Sequence, residues 1–195
     1  GPWAARAGGP AGPGRPRSPP TGGAGGRAAL LVVKLNLDPG TLDGWRAISE
    51  VLEELEPRLE ITVAHWREIG PKLWERLQPV AIVLGPNENP FPSYPVEFQA
   101  LLSWVRELQT PTLGICGGHQ VLALAHGSTV APVFDVAPAT ESYAGMPKVK
   151  GEVEVTVLES EDPLLADLPP VLVVAASHVD EVKEVPPGFT LLAES

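Results

Sequence analysis

The chain has 195 residues, 44% of them hydrophobic and 19% charged, which is enough apolar sequence for one folded α/β body with a buried core and a tail. Its net charge is −10. Residues 1–27 hold Arg6, Arg15, Arg17 and Arg27 and no acid, so the remainder sets 10 basic against 24 acidic side chains, a balance of −14 that argues against nucleic acid as a partner. A single cysteine excludes an internal disulfide framework and fits a reducing, cytoplasmic setting, and no apolar stretch approaches the length of a membrane span.

Residues 1–27 are Gly, Pro, Ala and Arg with little to bury, and the sequence predicts a disordered tail there. The chain opens on Gly1 rather than Met, which marks a fragment, a processed start or an uncertain gene boundary. From residue 28 the pattern is that of one domain reaching residue 195. Leu30–Leu35 is a short apolar run of buried-strand type, followed by the turn Asp38-Pro39-Gly40. Thr41 is placed to cap a helix whose apolar positions Trp45, Ile48, Val51, Leu52 and Leu55 recur at helical spacing until Pro57. Ile61–Val63 reads as a second strand ending near His65, and Pro71–Leu77 as a short helix. Val80–Leu84 is a third buried strand that ends at Gly85-Pro86-Asn87.

The loop Asn87–Pro95 is dense in Pro and Asn. A helix through Phe98, Leu101, Leu102, Val105 and Leu108 then delivers the chain to Pro111 and a strand before Cys116. This alternation is βαβ repetition, which predicts a parallel sheet with helices on both faces and ligands at the carboxyl ends of its strands. Beyond the helix that ends at His126-Gly127, strand-like Glu152–Leu158, the turn Glu161-Asp162-Pro163 and apolar Val171–Ala175 make the second half richer in β-structure.

Residues 114–120 read Gly-Ile-Cys-Gly-Gly-His-Gln. A nucleophile at a sharp strand-to-helix turn needs glycine two positions before and two after it, because a Cβ at either place would crowd the neighbouring strand and helix. Gly114 and Gly118 meet that requirement around Cys116. The thiol then stands at the start of a helix, where unpaired N–H groups favour the thiolate. A lone cysteine in a reduced protein is ordinarily a small buried hydrophobe, but glycines at both offsets have no packing rationale in a plain strand end.

A thiolate attacking a carbonyl needs an oxyanion hole, a base and a substrate contact. The N–H of Gly117, directly after Cys116, is one natural donor, and the loop after the third strand, at Gly85, offers another. Gln120 lies one helical turn beyond Cys116 on the same face. Of the four histidines, His65 ends a strand, and His119 and His126 belong to the elbow helix as structural residues. His178 follows Ser177 at the end of an apolar strand, with Asp180 two residues on, so Cys116, His178 and Asp180 fill the three roles of a triad; a loop histidine beside a carboxylate is also an ordinary surface feature.

Pro111-Thr112-Leu113-Gly114-Ile115-Cys116-Gly117-Gly118-His119-Gln120 resembles the elbow of class I glutamine amidotransferases, whose usual form is Gly-x-Cys-x-Gly-x-Gln. Asp162–Leu165, Ser177–Val182 and Pro186–Ala193 resemble later segments of the branch related to the amidotransferase domain of GMP synthase, so the likeness covers about residues 28–195. It implies a flavodoxin-like three-layer sandwich with a mostly parallel central sheet. It makes Cys116 the nucleophile of a γ-glutamyl thioester, Gly85 and Gly117 the oxyanion hole and Gln120 a glutamine contact. No metal or organic cofactor is implied for that step, and the ammonia would pass to a separate synthetase or acceptor subunit. In this family the catalytic histidine and glutamate come from a Phe-His-Pro-Glu-like segment beyond the Gly-Phe-x-x-Leu-Ala stretch, and the chain ends at Ser195 before it, as a truncated chain would. His178 matches the family's earlier Ser-His motif instead. Two rival readings are another elbow-cysteine hydrolase, such as a γ-glutamyl hydrolase or a stress protein on a similar sheet, and a non-catalytic amidotransferase-like binding subunit.

Overall fold

The structure, a computed structural model, describes the main chain of residues 2–7 and all of residues 27–41 and 44–195. These residues fall into two compact units: residues within 14–125 with Thr140–Ser142, and residues 126–139 and 143–195 with the first strand, β1 (Pro2–Ala7). The composition boundary at residue 27, where the sequence predicts a single body to start, is not the division between them.

The first unit is a parallel sheet with helices on both sides. Strands β2 (Ala28–Lys34), β3 (Leu59–His65), β4 (Ala81–Leu84) and β5 (Thr112–Gly114) run parallel in the order β3-β2-β4-β5. Between them lie α1 (Trp45–Leu55), α2 (Pro71–Leu77) and α3 (Phe98–Glu107), and α4 (Gly117–Ala125) follows β5. Alternate side chains of a strand face opposite ways, and the core divides accordingly. Leu31, Val33, Ile82 and Leu84 pack with Phe98, Leu101 and Val105 of α3 and Val121 of α4, whereas Leu30, Val32 and Val83 pack with Trp45, Ile48 and Leu52 of α1. Three layers result, a flavodoxin-like α/β arrangement, and the carboxyl ends of β4 and β5 lie side by side with Leu84 opposite Gly114.

Helix α1 starts at Trp45 after Gly44, which has no side chain to cap it; Thr41 instead closes the preceding turn, its N–H donating to Asp38 O at 3.2 Å. Helix α2 ends on Gln78 in the left-handed conformation at φ 42°.

The second unit is antiparallel. Strands β6 (Val130–Pro132) and β9 (Asp180–Val182) pair with each other, and β7 (Val149–Val157), β8 (Val171–His178) and β10 (Phe189–Glu194) form a sheet with β1 in the order β1-β10-β7-β8. Its core gathers Val155, Leu165, Leu192 and Ala193. The greater β content expected of the second half is present. Of the tail predicted to be disordered, Pro2–Ala7 departs from the expectation by pairing with β10, while residues 8–26 lie outside the described residues. An open strand edge offers main-chain partners to any extended segment, a driving force that side-chain composition does not register.

Ile82 is 1% exposed inside the larger core, so Ile82→Ala is expected to lower unfolding free energy by about 2–5 kcal/mol. Val96→Ala, at a side chain 79% exposed, should stay within about 0.5 kcal/mol; urea unfolding of both variants checks the contrast.

Candidate active site

Cys116 occupies the junction of β5 and α4 with φ at 54°, a left-handed backbone that a residue with a Cβ rarely adopts and that costs on the order of 1–3 kcal/mol. The turn is tied on both sides: Ile115 N–H donates to Leu84 O at 2.9 Å, and Cys116 O accepts from His119 N–H at 3.0 Å and Gln120 N–H at 3.3 Å. The side chain of Cys116 is exposed.

Glycine is required at each flanking position by close approach of main chain to main chain. A Cβ on Gly114 would stand 2.5 Å from Gly118 O and 2.6 Å from His119 N. One on Gly118 would overlap the carbonyl oxygen of Leu84 and lie 2.5 Å from its carbon, and one on Gly117 would overlap the Asn87 side chain and lie 2.8 Å from Asn87 N. The elbow helix is therefore pressed directly on the ends of β4 and β5, and Gly117, the residue after Cys116, lies against Asn87 in the loop after β4.

That loop is held by polar side chains that carry no motif in the sequence. Asn36, 3% exposed at the end of β2, accepts the N–H of Glu88 on its Oδ1 at 2.9 Å. Asn89 Oδ1 accepts from Leu37 N–H at 3.0 Å, and the Tyr94 hydroxyl lies 2.6 Å from both Asn87 Oδ1 and Leu35 O. His65 Nδ1 accepts from Arg67 N–H, which leaves Nε2–H to donate to Asn36 O at 2.7 Å. Burial raises the Tyr94 pKa above the ordinary phenol range, so the hydroxyl remains a neutral donor. The only local signal for this network is the density of Asn and Pro after Gly85, which reads equally well as a plain loop.

Gly85, Cys116, Gly117 and Gln120 all belong to the first unit, and His178 and Asp180 to the second. The N–H of Gly85, expected at the oxyanion hole, donates to Val33 O at 3.0 Å and so completes the sheet. Gly117 N–H makes no hydrogen bond among the described residues. Gln120 is half-buried in the first turn of α4. Asp180 Oδ2 accepts from the Tyr143 hydroxyl at 2.6 Å, and the carboxylate whose charge raises the His178 pKa is Glu181; burial outweighs it and lowers that pKa. His119 is likewise lowered by burial. Among the described residues no group of three or more His, Cys, Asp and Glu could hold a metal ion, and no helix is long and apolar enough to cross a membrane.

Fold and elbow together define an α/β protein that presents a cysteine from a strained strand-to-helix turn at the carboxyl end of a parallel sheet. The family model for glutamine amidotransferase class-I matches residues 46–195, and the chain belongs to that family. The glutamine-hydrolysing GMP synthase subunit of Methanosarcina mazei is 46% identical over 92 residues, 47% of this chain and 42% of that protein. The subunit of the same description in Methanothermobacter thermautotrophicus is 39% identical over 94 residues, 48% and 44% of the two chains. These matches span less than half the length of the relatives. Among solved structures, a protein of Thermoplasma acidophilum provisionally described as a GMP synthase subunit superposes with a TM-score of 0.65 at 23% identity, covering 87% of this chain and 73% of the other. A glutamine amidotransferase of Methylobacillus flagellatus gives 0.62 at 16% identity, covering 87% and 62%. At such identities the two structures establish the fold.

Gly118→Ala must push α4 off Leu84 and is expected to cost about 3 kcal/mol or more and to blunt alkylation of Cys116; unfolding and alkylation rates measure both. Because burial lowers the His119 pKa, the unfolded chain takes up the proton first as pH falls. Stability is then complete above about pH 6.5 and declines below it, and His119→Gln should flatten the fall in urea midpoint between about pH 7.5 and 5.5.

Proposed function

We propose that the chain hydrolyses the side-chain amide of glutamine through a thioester on Cys116, delivering ammonia to a separate acceptor-binding subunit. The observation that carries the reading is the elbow itself: an exposed cysteine at φ 54° between two glycines that admit no Cβ, within a sequence that the amidotransferase family model matches.

In this reaction the Cys116 thiolate attacks the amide carbon, the C–S bond forms, and the carbonyl electron pair moves onto oxygen. Gly117 N–H, at the start of α4, is suited to stabilise that oxyanion. Collapse breaks the C–N bond, and a general acid supplies the proton with which the nitrogen leaves as ammonia. Water then attacks the thioester, releasing glutamate and restoring the thiolate. Gln120 is proposed to contact the bound glutamine from the same turn of helix. A histidine is proposed to move the protons. The family resemblance assigns that role to a Phe-His-Pro-Glu-like segment, which residues 1–195 do not contain, and His178 with Asp180 is the second assignment. The separate subunit is supported by the relatives, which are themselves described as GMP synthase subunits.

Ammonia release from glutamine, with acid-quenched intact mass to capture the thioester, tests the reading. Cys116→Ala is expected to abolish the adduct and lower release at least about 10³-fold. Equal release by the variant would overturn the proposal. His178→Ala should lower release by about 10²–10⁴-fold if His178 is the base, and leave it within a few-fold if the base lies elsewhere.

A further inference from the structure

The larger sheet of the second unit ends on β8, and among the described residues no strand pairs with its outer edge. Val157 N–H donates to Pro170 O at 2.8 Å, which sets the phase of the ladder. Leu172, Val174 and Ala176 then turn their main-chain groups toward β7, and Val171, Val173, Ala175 and Ser177 turn theirs outward. That leaves eight main-chain groups, an N–H and a C=O from each of four residues, without a main-chain partner among the described residues. The register with β7 runs unbroken from Val171 opposite Thr156 to His178 opposite Val149, so no bulge bends the edge away.

The four outward residues share one face of the sheet, and all four are exposed. Val171 is 49% and Val173 61% exposed, whereas Leu172 and Val174 on the other face pack against the core of the unit. Natural edge strands are blunted by charge, proline or a bulge, and from Val171 to Ser177 there is no Lys, no acid and no Pro. What such an edge fits is a neutral extended strand with small apolar side chains on one face, and β8 is itself that strand. A chain of net charge −10 meets its own copy best where no acid faces acid. Glu152 and Glu154 stand one strand back, opposite Ala175 and Val173. Across two paired copies of β8 they would face each other over three strand spacings, about 14 Å, beyond the screening length of about 8 Å.

We propose that β8 is the contact through which two copies of the chain pair, antiparallel about a two-fold axis, with Val173 opposite Ala175 of the copy and Val171 opposite Ser177 of the copy. This register matches every outward N–H and C=O of both edges, about eight hydrogen bonds in all. It also lays each Val173 beside an Ala175 on one face and joins two four-stranded sheets into one. The inference uses the second unit alone and stands whether or not Cys116 hydrolyses glutamine.

Sedimentation velocity of the full chain over a concentration series tests the proposal, and the mass is expected to rise from 20.6 kDa toward twice that value. Val173→Pro removes an outward N–H but none that β7 uses, and Val173→Lys sets a charge on the edge. Each is expected to weaken pairing at least about tenfold. Leu55→Lys, at an α1 side chain 74% exposed, should leave pairing within about twofold of the parent. Should Val173→Pro fail to fold, Val173→Lys decides. The register is read by oxidation in the Cys116→Ala background. A mixture of the Val173→Cys and Ala175→Cys chains should cross-link faster than either chain alone, because each position lies about 8 Å from its own counterpart, beyond the reach of a disulfide. A parent that stays at 20.6 kDa throughout, or a dimer that both Val173→Pro and Val173→Lys leave intact, would overturn the inference. Equal cross-linking in the mixture and in the separate chains would overturn it as well.

Discussion

The contact on which the candidate site depends is the one between Gly118 and the carbonyl of Leu84. No side chain intervenes there: main chain of the elbow helix rests on main chain of the strand end, at a distance only hydrogen can occupy. That approach places the first turn of α4 over the ends of β4 and β5. It also forces the residue between Ile115 and Gly117 into a left-handed conformation, and that residue is the one cysteine. Strain of this kind persists only where surrounding structure over-determines it, and the hydrogen bonds from Ile115, His119 and Gln120 do so.

The same contact organises the candidate site. Pressing the helix start onto the sheet brings Gly117 against Asn87, so two chain segments that are 30 positions apart meet at the start of α4. The apolar layers on both faces of the parallel sheet carry the folding energy, which leaves the strand ends free to hold polar groups that packing alone would not favour. Asn36, His65 and Tyr94 are such groups. Each is fully or largely buried, each is hydrogen-bonded to main chain, and together they make the loop after β4 a fixed wall rather than a mobile connection.

The elbow could be read from seven residues because its physics is local: two glycine offsets, a preceding apolar run and a following helical pattern are all contiguous. The parallel sheet was readable for a related reason, since buried strands such as Leu30–Leu35 alternate with helices of clear period. What escaped was non-local. Gly85 looks like a free turn glycine until Val33, on a strand far earlier in the chain, is seen to take its N–H. Asn36 and Tyr94 carry no motif, and their partners at Glu88, Leu35 and Asn87 exist only once β2 and β4 are paired. The pairing of Pro2–Ala7 with β10 is a main-chain interaction at an open edge, invisible to a composition that promises nothing to bury.

The most direct test of the account is competition at Cys116 between glutamine and a chloroketone analogue of glutamine, read by intact mass and by peptide mapping. The account predicts one adduct, on Cys116, whose formation is faster than with iodoacetamide at equal concentration and is slowed by added glutamine but not by glutamate at the same concentration. Adduct formation at the rate of a free thiol, indifferent to glutamine, would mean that the elbow presents its cysteine without a pocket for the amide, and would contradict the central claim.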